Sequence, residues 1–219
     1  MPQSHPARYN KKLLPVFARM LKDSQWIFDP LAGTGERLLE LRNGYLPTNI
    51  ILGTEIEEEW AHITPSIVLH MDAFKFLKSG NNDHWDAILV SPTYGNRMAD
   101  HHKAKDASKR NTYTHRLGRE LAPHNSGKLQ WGDEYKIFHF ALWKECVRVL
   151  RPEGKFVLNI KDHIRDGKLQ AVTDWHIETL NNLGLNLVEH VKVDLPSLKN
   201  GKNSNLRMPY ESVILFTKD

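Results

Sequence analysis

Four short apolar runs, each closed by a polar residue, set the limits on how this chain can fold. Trp26-Ile27-Phe28 ends at Asp29, Asn49 to Thr54 ends at Glu55, Ile67 to Met71 ends at Asp72, and Asp86 to Val90 ends at Ser91. Runs this short suit strands, and helical spacing appears between several of them. Leu13, Leu14, Phe17, Met20 and Leu21 form an amphipathic first helix, a better reading of the basic N-terminus than a targeting peptide. Helices are also expected just past Gly35 (Leu38 to Leu41), over Glu57 to His62, and from an N-cap at Asp133 through Phe138, Leu142, Cys146 and Val149 to a stop at Pro152 and Gly154. Lys155 to Ile160 reads as a fifth strand, Leu169 to Leu183 as a helix, and Leu185 to Val193 and Ser212 to Thr217 as two last strands. Alternation of this kind builds a sheet covered on both faces. The expected architecture is therefore α/β: a single Rossmann-like domain over residues 1–219, with a seven-stranded, mostly parallel sheet and helices on both faces. Its 219 residues, 40% hydrophobic, suffice for one core.

Open parallel sheets bind ligands beyond the carboxyl ends of their strands, where Asp29, Glu55, Asp72 and Ser91 all fall. In Asp29-Pro30-Leu31-Ala32-Gly33-Thr34-Gly35 the two glycines allow a tight turn and close approach to main-chain N–H groups. A dinucleotide fingerprint would place a third glycine at position 38, where Leu38 stands, and no Gly-Lys-Ser/Thr phosphate loop follows. What remains is a cofactor with an amino acid part and a nucleoside part but no phosphate.

The run Asp29 to Gly35 resembles the first motif of class I S-adenosylmethionine-dependent methyltransferases. Gly53-Thr54-Glu55-Ile56-Glu57 is similar to their second-strand acidic motif, Met71-Asp72-Ala73 to the third, and Val149 to Lys155 to a later landmark. Ser91-Pro92-Thr93-Tyr94 resembles the (Asp/Asn/Ser)-Pro-Pro-(Tyr/Phe/Trp) motif of enzymes that methylate amino groups of DNA and RNA bases. Ser4 to Lys11 is loosely similar to the cofactor-binding segment such enzymes carry beside the first motif. The resemblance implies S-adenosyl-L-methionine as cofactor. Asp29, Pro30, Ala32, Gly33 and Gly35 would surround its methionine part, and Glu55, with Ile56 beside it, would accept from the ribose hydroxyls. Asp72 and Ala73 would address the adenine edge, and Ser91 would border the cofactor. Glu57 reads instead as a helix first-turn acid.

The same resemblance assigns catalysis to Ser91, Pro92 and Tyr94. An exocyclic amino nitrogen delocalises its lone pair into the ring, and acceptors for its two N–H groups draw it toward tetrahedral shape. Ser91 Oγ and the Pro92 carbonyl are the acceptors expected, and Tyr94 would stack on a base everted from its helix. The one departure is Thr93 where the family has a second proline, which loosens the loop. Serine at the first position leaves adenine and cytosine both open. Cys146, the single cysteine, follows Glu145 rather than proline and reads as a packing residue, against methylation at cytosine carbon.

Charge points to the partner. Net charge is +4, but from Arg97 to Lys128 eight basic residues face three acids. Arg97, Lys103, Lys105, Lys109, Arg110, Arg116, Arg119 and Lys128 make the segment from 96 to 131 a basic insert. With Met98, Leu117 and Leu121 as its only large aliphatics, it is expected to be mobile until it meets an anion. Lys199 and Lys202 offer a second phosphate-contacting edge. The partner expected is DNA, with RNA the alternative, and modest sequence specificity follows from the absence of a recognition domain between the motifs. A nucleic acid binding protein on a catalytically dead fold is the reading from another class. His101, His102, His115 and His124 fit no zinc spacing, so no metal is expected. No run of about 18 apolar residues suggests a membrane span, and the lone cysteine suits a reducing compartment, the cytoplasm.

Overall fold

The computed structural model describes residues 5–95, 112–195 and 204–219. Helix α1 (Leu14–Leu21) leads into β1 (Trp26–Asp29), α2 (Glu36–Tyr45), β2 (Ile50–Glu55), α3 (Glu58–Ala61), β3 (Val68–His70), α4 (Ala73–Ser79) and β4 (Trp85–Val90). Then come α5 (Tyr113–Leu117), α6 (Asp133–Val149), β5 (Leu150–Ile160), β6 (His163–Arg165), β7 (Lys168–Gln170), α7 (Val172–Asn182), β8 (Leu185–Asp194) and β9 (Tyr210–Lys218). Seven strands form one sheet in the order β3-β2-β1-β4-β5-β9-β8, while β6 and β7 make a separate hairpin. Pairings from β3 through β5 are parallel, and β9 runs antiparallel to both neighbours.

Side chains of successive strand residues go to opposite faces, and the two cores show it directly. Phe28, Ile88, Phe156 and Phe216 pack with Leu77 of α4, Trp143 and Cys146 of α6 and Leu180 of α7. Their neighbours Ile27, Ala87, Val157 and Leu215 pack on the other side with Phe17 and Leu21 of α1 and Leu38 and Leu41 of α2. All six residues of β4 are buried, as expected of a strand between two others and covered on both faces. Cys146 is fully buried and burial pushes its thiol pKa up, which suits packing rather than nucleophilic work.

Several boundaries differ from the sequence reading. Gly132, not Asp133, caps α6, and Asp133 is a first-turn acid. Helix α7 starts at Val172 because Lys168 to Gln170 pair with His163 to Arg165 instead of joining it. Helix α4, capped by Asp72, lies between β3 and β4 where the sequence reading placed no helix.

Candidate active site

The carboxyl ends of β1, β2 and β4 open onto one cleft of about 310 Å³. Gly33 and Tyr94 both line it, so the glycine turn and the Ser91–Tyr94 loop face a common hollow. Glycine is obligatory at position 35: φ is +68°, and a Cβ there would stand 2.3 Å from Val68 Cγ2. At Gly33 φ is +57°, and a Cβ would touch the His5 ring at 3.5 Å, so the N-terminal segment lies over the turn. The buried amides of Gly33 and Thr34 donate to no group among the described residues, leaving two main-chain donors for a ligand. Pro30, Ala32, Glu55, Ile56, Asp72, Ala73, Ser91 and Pro92 line the same space.

Asp29 does not reach the cleft. It is fully buried, accepting from the Tyr9 hydroxyl at 2.7 Å and from Leu31 N–H at 2.9 Å, and burial raises its pKa to about 7. Its work is to fix the turn and to hold Tyr9, which lies in the Ser4–Lys11 segment noted in the sequence and lines the cleft with His5 to Arg8. Glu55 does reach the cleft. One oxygen accepts from Glu57 N–H at 2.8 Å, and burial raises this carboxyl too, to about 7. Asp72 spends Oδ1 on capping α4, accepting from Lys75 N–H at 3.0 Å.

The loop after β4 is held from three sides. Tyr135 Oη donates to the Thr93 carbonyl at 2.7 Å, Thr93 Oγ1 donates to Ser126 O at 3.2 Å, and Trp131 N–H donates to Gly95 O at 2.9 Å. Behind Tyr135 stands a buried chain. Trp143 Nε1 donates to His176 Nδ1 at 2.9 Å, which leaves His176 Nε2–H to donate to Tyr135 Oη, also at 2.9 Å. Burial holds the His176 pKa well below its ordinary value, so the ring is neutral and the chain keeps one direction. In front, Tyr94 Oη donates to Glu211 Oε2 at 3.2 Å and lies 3.2 Å from Ser91 Oγ. Asn159 Nδ2 sits 3.0 Å from Tyr94 Oη, 3.2 Å from Ser91 Oγ and 3.1 Å from Glu211 Oε2. Burial, and next the Glu211 charge, push the Tyr94 pKa well above its usual value, so it stays a phenol.

Asn159 and Glu211 escaped the sequence reading. Asn159 obeys the rule that found Ser91, a polar residue at the end of an apolar strand. Glu211 obeys its mirror image, because an antiparallel strand brings its beginning to the same edge of the sheet.

The basic insert needs correction in its second half. Residues 112–131 are packed, because Tyr113, Leu117 and Leu121 form a cluster with Trp60, and Tyr113, Asn125 and Ser126 line the cleft. Counting aliphatics overlooked Tyr113, and it overlooked a buried carboxylate. Glu57, read as a first-turn acid, is fully buried and accepts from Ala122 N–H at 2.8 Å and Asn125 Nδ2 at 2.7 Å. Arg119, read as a nucleic acid contact, lies 2.8 Å from Glu57 and 2.6 Å from Glu59, and these partners raise its pKa. Arg116 and Lys128 are exposed. Arg97, Lys103, Lys105, Lys109, Arg110, Lys199 and Lys202 lie outside the described residues.

No family model matches the sequence, and no curated protein matches it. Solved structures do. A SAM-dependent methyltransferase from Archaeoglobus fulgidus aligns over 94% of this chain and 91% of its own, at 14% identity and TM-score 0.57. The 1,6-didemethyltoxoflavin-N1-methyltransferase of Burkholderia thailandensis, solved with 1,6-didemethyltoxoflavin and S-adenosylhomocysteine, aligns over 95% and 78% at 11% identity and TM-score 0.53. The fold is that of class I methyltransferases. TrmN from Thermus thermophilus shares it at 15% identity and TM-score 0.52, over 94% of this chain and 48% of its own. What such identities hold in common is the backbone path of the methyltransferase fold, so the chemistry must be argued from the residues of this cleft. Among the described residues no helix is long and apolar enough to cross a membrane.

Proposed function

We propose that the chain is an S-adenosyl-L-methionine-dependent methyltransferase acting on the exocyclic amino nitrogen of adenine or cytosine in DNA. The observation that carries this reading is that Gly33 and Tyr94 face one hollow, as a donor and a planar acceptor require. The cleft fits the cofactor on its own chemistry. Free amides at Gly33 and Thr34 suit a carboxylate, the Glu55 carboxyl suits paired hydroxyls, and apolar Ile56 and Phe74 flank the space for a purine. When bound, the cofactor supplies an electrophilic methyl group, so the protein's contribution is mainly position. Ser91 Oγ, the Pro92 carbonyl and the tethered ring of Tyr94 supply acceptors and a stacking surface for an everted base. Arg116, Lys128 and the basic residues from 97 to 110 would meet the phosphates.

The test is transfer of labelled methyl to duplex DNA, single-stranded DNA and structured RNA, followed by nucleoside mass analysis. N6-methyladenine or N4-methylcytosine from DNA is expected, and Tyr94→Ala should abolish it while S-adenosylhomocysteine still binds. Label confined to RNA would overturn the polymer assigned, and label on cytosine carbon would overturn the acceptor.

A further inference from the structure

Methylation of an amino nitrogen builds positive charge on that nitrogen, and Ser91, the first residue of the loop, is neutral at any pH where the fold persists. The cleft nevertheless contains a carboxylate close to it. Glu211 enters from β9, lines the cleft, and shares with Ser91 Oγ and Tyr94 Oη a single donor, Asn159 Nδ2, at 3.1, 3.2 and 3.0 Å. Only Oε2 is so engaged. Oε1 accepts from no group among the described residues.

We infer that Glu211 is a catalytic residue, the carboxylate that shares with Ser91 Oγ one N–H of the target amino group, the Pro92 carbonyl taking the other, and that receives the proton released on methylation. This rests on the reading of Ser91 to Tyr94 as the acceptor loop. The balance is simple. The amino lone pair forms the N–C bond, the S–C pair leaves on sulfur, and the nitrogen, now cationic, loses one proton to Glu211, which passes it to water. A fixed negative charge beside the nitrogen lowers the energy of the charged state more than that of the neutral amine, which is what a rate enhancement requires. Tyr94 and Asn159 position it, each spending a donor on Oε2, so its place does not depend on a bound substrate. Lys161, whose pKa burial lowers and the Glu211 charge raises, lies within electrostatic reach, yet neither makes an ion pair with the other among the described residues.

Glu211→Gln is the test, because the amide keeps the size and an acceptor oxygen for Tyr94 and Asn159. Its kcat should fall by about 10²-fold, with KM for nucleic acid changed by less than about threefold and circular dichroism unchanged. A binding readout needs no turnover. Sinefungin carries an ammonium where the methyl would stand, whereas S-adenosylhomocysteine carries nothing there. Calorimetry should show sinefungin binding weakened about tenfold in Glu211→Gln and S-adenosylhomocysteine binding unchanged. Ser91→Asp in the Glu211→Gln background should return about tenfold of the lost rate, because the charge comes back at a neighbouring position on the same Asn159 donor. Equal loss or no loss of the two analogues would overturn the role of Glu211 alone. Failure of S-adenosylhomocysteine to bind the unsubstituted protein would instead sink the reading of the cleft, and this inference with it.

Discussion

Glu55 lines the cleft where burial opposes its ionisation, and its pKa of about 7 makes that carboxyl sensitive to pH near neutrality. Hydroxyl donors are better served by the carboxylate than by the acid, because the protonated group has lost an acceptor and gained a donor. Below about 7 a ligand that needs the carboxylate must first expel a proton. Affinity for S-adenosylhomocysteine should therefore rise with pH, approaching about tenfold per unit well below pH 7 and levelling above it. Calorimetry between pH 5.5 and pH 8.5, both about one and a half units from that pKa, would show the bend, and Glu55→Gln should bind more weakly with a flat profile. A bend that survives the substitution would assign the titration to another group. Asp29 has a raised pKa of the same size but no route to the ligand, so its titration bears on the fold. There the sign is opposite. The unfolded carboxyl ionises near 4, the folded one at about 7, and stability declines as pH rises through that window.

At the scale of elements, α6 and α7 give the loop after β4 a restraint that a proline at position 93 would also supply. Proline restricts φ, and here the restriction comes instead from Tyr135, which grips the Thr93 carbonyl and is itself held by His176 and Trp143. Tyr135→Phe removes the grip and leaves a half-buried carbonyl short of a donor, a loss of about 1 kcal/mol. Faster amide exchange over residues 91–95 and a fall in kcat of about tenfold are expected, with S-adenosylhomocysteine affinity unchanged. Thr93→Pro in that background should recover most of the rate, since it restores the restriction by covalent means. If the loop exchanges alike in both proteins, α6 and α7 do not brace it. The sequence exposed some of these elements and hid others for physical reasons. Strands β1, β2 and β4 were legible because their apolar runs end abruptly at Asp29, Glu55 and Ser91. The hairpin of β6 and β7 was not, because Leu169 continues the helical spacing of α7 and only cross-strand pairing with Ile164 takes it out. The brace was hidden more thoroughly. Tyr135, His176 and Trp143 lie up to 41 positions apart on two helices, and nothing local marks them as partners.

The described residues build two large cores, one on each face of the sheet, and a small third cluster of Trp60, Tyr113, Leu117 and Leu121 that carries one wall of the cleft. Such a cluster buries too little to hold 20 residues in place by itself. Glu57 makes up the difference, since its buried carboxylate gathers Ala122, Asn125 and Arg119 from that wall and fastens them to the start of α3. The two carboxylates at the end of β2 thus part company, Glu55 facing the cleft and Glu57 holding the wall. This division could not be read from the sequence, because it depends on a segment some 60 residues downstream folding back. Removing the Glu57 carboxylate leaves Arg119 exposed and still paired with Glu59 but strips Ala122 N–H and Asn125 Nδ2 of their acceptor. The cost is about 1–3 kcal/mol for each donor left unpaired, and it falls on a part that can open without the sheet. Glu57→Ala should consequently speed tryptic cleavage at Arg116, Arg119 or Lys128 by tenfold or more, by the order of magnitude that about 1.4 kcal/mol of local stability represents. The thermal midpoint of the main transition should move by only about 2–4 °C, the scale of 1 kcal/mol in a domain of this size. Ligand binding supplies the final discrimination. Tyr113, Asn125 and Ser126 line the cleft, so saturating S-adenosylhomocysteine should slow the cleavage again in the variant, by mass action on the closed wall. Cooperative loss of the whole fold in Glu57→Ala, with no cleavage ahead of it, would mean that the wall and the sheet form one unit and that the carboxylate supports both.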